Sequence, residues 1–133
     1  MSRIDIKIDT EHKIVSVRID GQSTMLEVAE AYGKALDDPK FEFNMNAFWD
    51  MSGVNITRYA ISEFRTISGL LGKYRGKRGD DYLVALVTNR TADFQLLRLY
   101  SAILRLVGSF RLRVFSRADE ALEWLQSVKK EPL

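Results

Sequence analysis

The sequence predicts an α/β fold, in which a mixed β-sheet of about five strands is packed with about four helices in the order β-β-α-β-α-β-α-β-α. Residues 4–8 and 15–19 alternate apolar and polar side chains, which is typical of two half-buried strands joined as a hairpin. After them, short apolar segments alternate with segments whose apolar residues recur at helical spacing. This alternation indicates strands connected by helices. Because no linker or repeat is evident, residues 1–133 are expected to form a single domain.

The first half of the chain is predicted to continue from the hairpin into a helix and a buried strand. Either Ser23 or Thr24 can cap the helix, and Glu27 follows Thr24 at the spacing of a capping box. The helix is expected to end near residues 37–39, because Pro39 cannot continue it. Residues 46–50, with the sequence NAFWD, then form a short buried strand.

The second half alternates helices and strands. Residues 82–87, with the sequence YLVALV, are continuously apolar, which is typical of a central strand covered on both faces. The other predicted elements are a second helix over residues 60–74, a polar loop over 76–81, a third helix over about 92–107, a strand over 110–115 and a final helix after Ser116.

Composition excludes several kinds of chemistry. The chain has no cysteine, so disulfides, thiolate metal sites and a cysteine nucleophile are excluded. It has no run of 18 apolar residues and no segment that resembles a signal peptide, so we expect no membrane span and a cytoplasmic location. The net charge of +2 is too small to indicate nucleic-acid binding. No cofactor is predicted.

The turn after the strand NAFWD is the candidate site for a ligand or a protein partner. Its polar residues are Asp50, Ser52, Asn55 and Thr57, and they follow the carboxyl end of a predicted strand, where open α/β sheets bind ligands. The alternative is structural: Asp50 and Ser52 can bond to the backbone of their own turn. Thr57 can cap the next helix, and a phosphate on it would be stabilised by the helix dipole.

The order of elements, together with the stretch Asp50-Met51-Ser52-Gly53-Val54 in this turn, resembles the STAS or SpoIIAA-like fold of anti-sigma-factor antagonists. The closer resemblance is to a STAS/CRAL-TRIO-like branch of small bacterial proteins, and four segments carry it: IDIKIDTEHKIVSVRIDG, NAFWDMSGVN, YLVALVTNRTADFQLLRLY and FRLRVFSRADEALEWL. The resemblance implies a STAS fold and a regulatory role. The antagonists carry a phosphorylatable serine in the first turn of the helix that follows this stretch. The corresponding residues of this chain, 58–61, include no serine, although Thr57 and Ser62 lie nearby.

Other polar residues are predicted to have structural roles. His12 is the sole histidine and lies in the predicted hairpin turn, so no metal site is expected. The adjacent carboxylates of residues 37–38 and 80–81 lack the ligand spacing of a calcium loop. The basic residues Lys73, Arg75, Lys77 and Arg78 do not fit a phosphate-binding loop and are expected to be solvated. Binding of an anionic partner is the alternative for them.

The third predicted helix has apolar residues around most of its circumference. One stripe must pack on the sheet, and a second stripe faces elsewhere by helical spacing: Leu96, Leu99, Ile103 and Leu106. A helix that is apolar all round is covered on both sides or meets a partner. We therefore predict that this stripe is an association surface of a homodimer; a wall of an apolar ligand pocket and plain core packing are the alternatives.

Three functions follow from these features. The leading hypothesis is a non-catalytic module that binds a protein partner and associates with itself. The second is a carrier of a small apolar molecule or lipid, motivated by the CRAL-TRIO resemblance, with a pocket lined by Phe48, Trp49, Tyr59, Phe64 and Tyr100. The third is an enzyme that uses Asp50 as a general base with Ser52 or Tyr59 nearby. It has the least support, because nothing in the sequence shows a perturbed carboxylate within bonding reach of a substrate.

Overall fold

The computed structural model of the protein describes residues 3–59, 62–63, 65, 69, 72–79, 81–104 and 111–127, the side chains of residues 103 and 104 excepted. Within these ranges the chain forms five strands: β1 (Arg3–Asp9), β2 (Ile14–Asp20), β3 (Asn46–Gly53), β4 (Leu83–Val87) and β5 (Arg111–Phe115). The described helices are α1 (Met25–Leu36), α2 (Arg75–Arg78), α3 (Thr91–Leu104) and α4 (Ala118–Ser127). A short 3-10 helix, Ile56–Arg58, follows β3. The predicted fold class is confirmed.

The five strands form one mixed sheet in the order β1-β2-β3-β4-β5. β1 is antiparallel to β2, and each later neighbour is parallel to the one before it. The carboxyl ends of β2, β3, β4 and β5 therefore lie at one end of the sheet. β1 and β5 form its two edges.

The sheet has a separate apolar core on each face. The larger core contains Trp49 of β3 and Leu97 of α3, together with the buried side chains of α1. The smaller core lies on the opposite face, where Leu125 of α4 packs on Leu83 and on other residues of β4. Both faces of β4 are thus covered, which explains why its five residues are all buried and apolar.

Local sequence signals explain where α1 begins and ends. The Thr24 side chain accepts a hydrogen bond from the Glu27 amide at 3.1 Å, and the Glu27 carboxylate accepts one from the Thr24 amide at 3.1 Å. This is the predicted capping box. The helix ends at Leu36, three residues before Pro39, which cannot continue a helix. No described helix is long and apolar enough to cross a bilayer.

Two predicted boundaries are wrong, and one predicted helix lies largely outside the described residues. β3 continues past Asp50 to Gly53, so the strand includes the first part of the expected turn. Residues 76–78, predicted as part of a loop, belong to α2 (Arg75–Arg78). Most of the predicted helix over residues 60–74 lies outside the described residues. Ser62, Glu63, Arg65, Gly69, Gly72 and Lys73 within it have helical backbone.

Arg78 is the clearest correction to the predicted solvated loop. It is 1% exposed, whereas Lys73, Arg75 and Lys77 are exposed as expected. Its guanidinium carbon lies 3.8 Å from the ring centre of Tyr82, 5.3 Å from that of Phe41 and 6.0 Å from that of Tyr32. Burial raises the pKa of Tyr82, and the Arg78 charge, followed by a side-chain contact of the guanidinium with the Tyr82 hydroxyl that is not close or aligned enough to be a regular hydrogen bond, opposes that rise. Within the described part of the chain, none of the three guanidinium nitrogens has a hydrogen-bond partner.

Candidate functional site

The predicted ligand or partner turn lies at the carboxyl end of β3, beside the ends of β2 and β4. In the parallel register, Asp50 is opposite Arg18 of β2 and Val87 of β4. The register between β2 and β3 shifts after Arg18, so that Asp20 is opposite Gly53. The amide of Gly21 donates to the Gly53 carbonyl at 3.0 Å, which closes the turn against the end of β2.

Gly53 is required at this position by close packing. A Cβ atom on Gly53 would lie 2.9 Å from the Ile19 carbonyl oxygen and would collide with the Asp20 carboxylate. Because backbone atoms cannot move aside cheaply, only glycine fits between β2 and β3 here. The glycine in the sequence DMSGVN therefore has a steric explanation that is independent of any ligand.

Asp50 and Ser52 are bonded to each other. One Asp50 carboxylate oxygen accepts from the Ser52 amide at 3.0 Å and from the Ser52 hydroxyl at 2.6 Å. The other oxygen lies 3.8 Å from a guanidinium nitrogen of Arg18, whose Nε also donates to Asp20 at 3.2 Å. The Asp50 side chain is 15% exposed. Such contacts are expected of a carboxylate whose hydrogen bonds stabilise the backbone at the end of its own strand.

Asn55 and Thr57 are held by a second set of contacts. The Asn55 amide donates to the Gln22 side chain at 2.8 Å, and the Thr57 hydroxyl donates to the Asn55 side chain at 2.6 Å. The N-cap of the 3-10 helix is Asn55 and makes no side-chain capping bond, while Thr57 lies inside that helix. Within the described residues, no hydrogen bond joins this pair to Asp50 and Ser52, so the four predicted residues form two separate groups.

Asp93 belongs to this region and was missed by sequence reasoning. It is 1% exposed, and its Oδ1 accepts from the Thr57 amide at 3.2 Å, which ties the turn after β3 to the first turn of α3. Among the described residues, its Oδ2 and the buried Thr88 hydroxyl have no hydrogen-bond partner. An acidic residue in the first turn of a helix was the available signal, but it is also the residue type that such positions prefer on electrostatic grounds.

Tyr59 follows the 3-10 helix and is hydrogen-bonded to the segment that precedes α1. Its hydroxyl donates to the Ser23 carbonyl at 2.5 Å, and its side chain is 8% exposed. Burial, followed by the nearby charges of Glu63 and Glu27, raises the pKa of Tyr59 to about 12. Tyr59 is therefore a neutral hydrogen-bond donor at physiological pH.

The predicted pocket around Trp49 is not supported by the positions of its lining residues. Trp49 belongs to the larger core, with its ring centre 5.0 Å from that of Tyr32. Phe48 is on the opposite face of the sheet and packs against the smaller core. The two side chains cannot line one pocket, because neighbouring residues of a strand point to opposite faces. Phe64 lies outside the described residues.

The predicted association surface on α3 is described in part. Leu97 is buried, and Leu96 is half-buried against the larger core. Leu99 is 61% exposed. The side chain of Ile103, and Leu106 as a whole, lie outside the described residues. The exposed face also carries Gln95 and Arg98, so the described part of the helix is not apolar all round as expected.

The hairpin turn between β1 and β2 brings Asp9, Glu11 and His12 together. Their ligand atoms lie within 4.8 Å of one another, and all three residues are exposed. The Asp9 carboxylate already accepts from the amides of Glu11 and His12 at 3.0 Å, and His12 Nδ1 lies 2.8 Å from it. These bonds account for the cluster as a turn, in agreement with the structural role predicted for His12.

The contacts between Asp9 and His12 predict that the contribution of this turn to the stability of the protein depends on pH. Hydrogen bonding to Asp9, followed by the charge of Asp9, raises the pKa of His12 above its ordinary value of 6.5. Hydrogen bonds from the His12 backbone and then from its side chain lower the pKa of Asp9 below 3.8. The stabilisation due to His12 is fully present below pH 6.5 and is lost as the pH rises through the raised pKa. That due to Asp9 is present above pH 3.8 and is lost as the pH falls through the lowered pKa.

Because His12 is the sole histidine, its proton NMR signal can be followed without ambiguity. We expect Asp9→Asn to lower the pKa of His12 back toward 6.5, whereas Glu11→Gln, which removes only the weakest contribution, should lower it less. An unchanged pKa in Asp9→Asn would contradict the hydrogen-bonded turn.

The comparisons with known proteins agree with this fold. The chain is similar to the crystal structure of an uncharacterized protein of the DUF3478 family with a SpoIIAA-like fold from Shewanella loihica PV-4, with a TM-score of 0.60 and 16% sequence identity over 93% of each chain. No family model and no curated protein matches the sequence. The protein thus has a SpoIIAA-like fold, as the resemblance of its sequence implied.

Proposed function

We propose that this protein is a non-catalytic cytoplasmic module that associates with a second copy of itself through α3. The observation that carries the proposal is Leu99, whose side chain is 61% exposed on that helix. Its helix also exposes Gln95 and Arg98, which are polar, and Ala102, which extends the apolar part of the surface. An apolar centre with a polar rim is the usual composition of a protein interface.

The non-catalytic part of the proposal is supported by the contacts of Asp50. A general base needs a carboxylate oxygen that can reach the proton of a substrate. One oxygen of Asp50 accepts two hydrogen bonds from Ser52, and the other lies against the guanidinium of Arg18. Tyr59, which the enzyme hypothesis places near Asp50, donates its hydroxyl proton to a backbone carbonyl.

The turn after β3 is the proposed contact for a different protein partner. Thr57 is exposed and Ser52 and Asn55 are half-buried, so polar groups of all three are within reach of a docking surface. The bonds to Gln22 and Asp93 hold the turn in one conformation. A preformed turn loses less conformational entropy on binding.

Self-association is tested by Leu99→Glu in native mass spectrometry and in sedimentation at high micromolar concentration. We expect the parent protein to dimerise and the variant to weaken the dimer by at least about tenfold, because a charge would be buried at the centre of the interface. Gln95→Glu adds the same charge one turn away and should leave the dimer almost unchanged. Circular dichroism checks that both variants are folded.

Two results would count against association through α3. One is a parent protein that stays monomeric under these conditions, and the other is a dimer that Leu99→Glu does not weaken. The same spectra test the carrier hypothesis, which is the second candidate. A monomer that retains a small apolar molecule from the cell would favour a carrier, although Phe48 and Trp49 belong to different cores.

A further inference from the structure

β1 is an edge strand of the described sheet. Its seven residues, Arg3–Asp9, pair with β2 in an uninterrupted register, and no strand of the described residues pairs with their other side. An open cleft of about 610 Å³ lies between β1 and the carboxyl end of α1, and Ile6, Lys7 and Ile8 line it on the β1 side. Alternate backbone N–H and C=O groups of such a strand point outward and can pair with a further strand.

The side chains of β1 alternate in charge as well as in polarity. Ile4, Ile6 and Ile8 face the larger core, and the other face carries Arg3, Asp5, Lys7 and Asp9 in that order. The charges read plus, minus, plus, minus along the strand. Reversed, they read minus, plus, minus, plus. The strand is therefore complementary in charge to an antiparallel copy of itself.

Register decides how that complementarity can be used. If a two-fold axis passes through Ile6, Arg3 is opposite Asp9 and Asp5 is opposite Lys7 over the full length of the strand. A two-residue shift, which is the smallest that keeps the isoleucines on one face, places like charges opposite each other. Parallel pairing in register does the same. One arrangement is thus favoured among the alternatives.

We propose that β1 of one copy pairs with β1 of a second copy about this axis, so that the two sheets become continuous. Each dimer then has two Arg3–Asp9 and two Asp5–Lys7 ion pairs on one face. On the other face, Ile6 meets its counterpart and Ile4 meets Ile8. An interface in which the same surface is used by both copies closes as a dimer.

The contacts of Lys7 and Arg3 within one copy are compatible with this pairing, whereas the Asp9 carboxylate, which already bonds to Glu11 and His12, would have to share its oxygens with Arg3 of the second copy. Lys7 forms no ion pair within the described part of the chain, so the second copy would supply its partner. Arg3 contacts Asp5 through Nε at 3.0 Å, which leaves its two terminal nitrogens for Asp9 of the other copy. No proline, bulge or left-handed residue interrupts β1, although natural edge strands commonly use the first two to prevent pairing.

This surface is separate from the one proposed for α3. α3 packs against β5, which is the opposite edge of the sheet from β1. Pairing through β1 therefore goes beyond the proposed function, and either interface can fail without the other. For this reason the experiment is made in the Leu99→Glu background, in which association through α3 is expected to be weakened by at least about tenfold.

The test is a charge exchange across the axis, followed by sedimentation and native mass spectrometry at low ionic strength. Asp5→Lys places lysines opposite each other, and Lys7→Asp places aspartates opposite each other. We expect each to weaken the homodimer by at least about tenfold. An equimolar mixture of the two variants restores both ion pairs, so we expect a heterodimer, and the double variant should regain the homodimer.

Glu123→Lys, on the exposed side of α4, makes the same charge reversal as Asp5→Lys and should leave the dimer unchanged. The proposal is overturned if the Leu99→Glu background protein is monomeric at high micromolar concentration. It is also overturned if the single reversals dimerise as well as their parent, or if their mixture yields no heterodimer. The mixture decides the outcome even if one single variant is less stable, because only complementary charges can restore association.

Discussion

Replacing Arg78 with methionine is expected to raise the free energy of unfolding by about 1–4 kcal/mol. Arg78 is 1% exposed, and no hydrogen-bond partner for its guanidinium lies within the described part of the chain. Burial of a charge without such partners opposes folding, and only the contacts with Tyr82, Phe41 and Tyr32 offset it. Methionine keeps much of the side-chain volume and also packs favourably on aromatic rings.

Urea denaturation of the parent protein and of Arg78→Met checks this prediction. Lys73→Met is the matched control, because it removes the same charge from an exposed position close by and should change the stability by less than about 0.5 kcal/mol. Arg78→Ala should instead destabilise the fold, since it leaves a cavity among three aromatic rings. A clear loss of stability in Arg78→Met would mean that the guanidinium contributes more through its aromatic contacts than burial costs.

The substitution Gly79→Ala is expected to lower the free energy of unfolding by at least about 2 kcal/mol. Gly79 has φ +97 and ψ −173, a backbone conformation that is essentially restricted to glycine. A Cβ atom there would also collide with the side chain of Asn44. That side chain accepts from the Asp81 amide at 3.0 Å, so moving it would break a bond that leads into β4.

Gly76→Ala provides the opposite control three residues earlier. Gly76 lies in α2, and a Cβ atom on it would meet nothing within 4 Å. Alanine there should raise the stability by up to about 1 kcal/mol, because it favours helical backbone and restricts the unfolded chain. Thermal and urea unfolding of the two variants should therefore move in opposite directions. If Gly79→Ala were neutral, the constraint that we assign to Gly79 would be wrong.

The positions of the two proposed interfaces have a consequence for assembly. β1 is at one edge of the sheet, and α3 packs against β5 at the other. Each proposed contact uses the same surface on both copies. If both form in the same protein, each copy has two neighbours, and assemblies larger than a dimer are expected unless the two axes close a ring. Sedimentation of the parent protein beside Leu99→Glu separates these cases.

The candidate site shows how far its residues could be predicted from the sequence. Asp50, Ser52, Asn55 and Thr57 were predicted together because they are close in the chain, and the local bonds from Ser52 to Asp50 and from Thr57 to Asn55 agree with that closeness. Asp93 could not be linked to them, because it is 36 residues from Thr57 along the chain. Which remote groups meet at a strand end depends on the order and register of the strands.

Local patterns in the sequence were enough to predict the fold class, the two hairpin strands, the capped start of α1 and the burial of β4. Each of these depends on alternation, helical spacing or capping within a few residues, and such short-range patterns specify which side chains share a face. The folded arrangement was needed to show that Arg78 is buried, that Phe48 and Trp49 belong to different cores, and that β1 is an edge of the described sheet. These properties depend on which distant segments cover each side of the sheet. A charged residue in a polar segment has no local signal for the three aromatic rings that the fold brings around it.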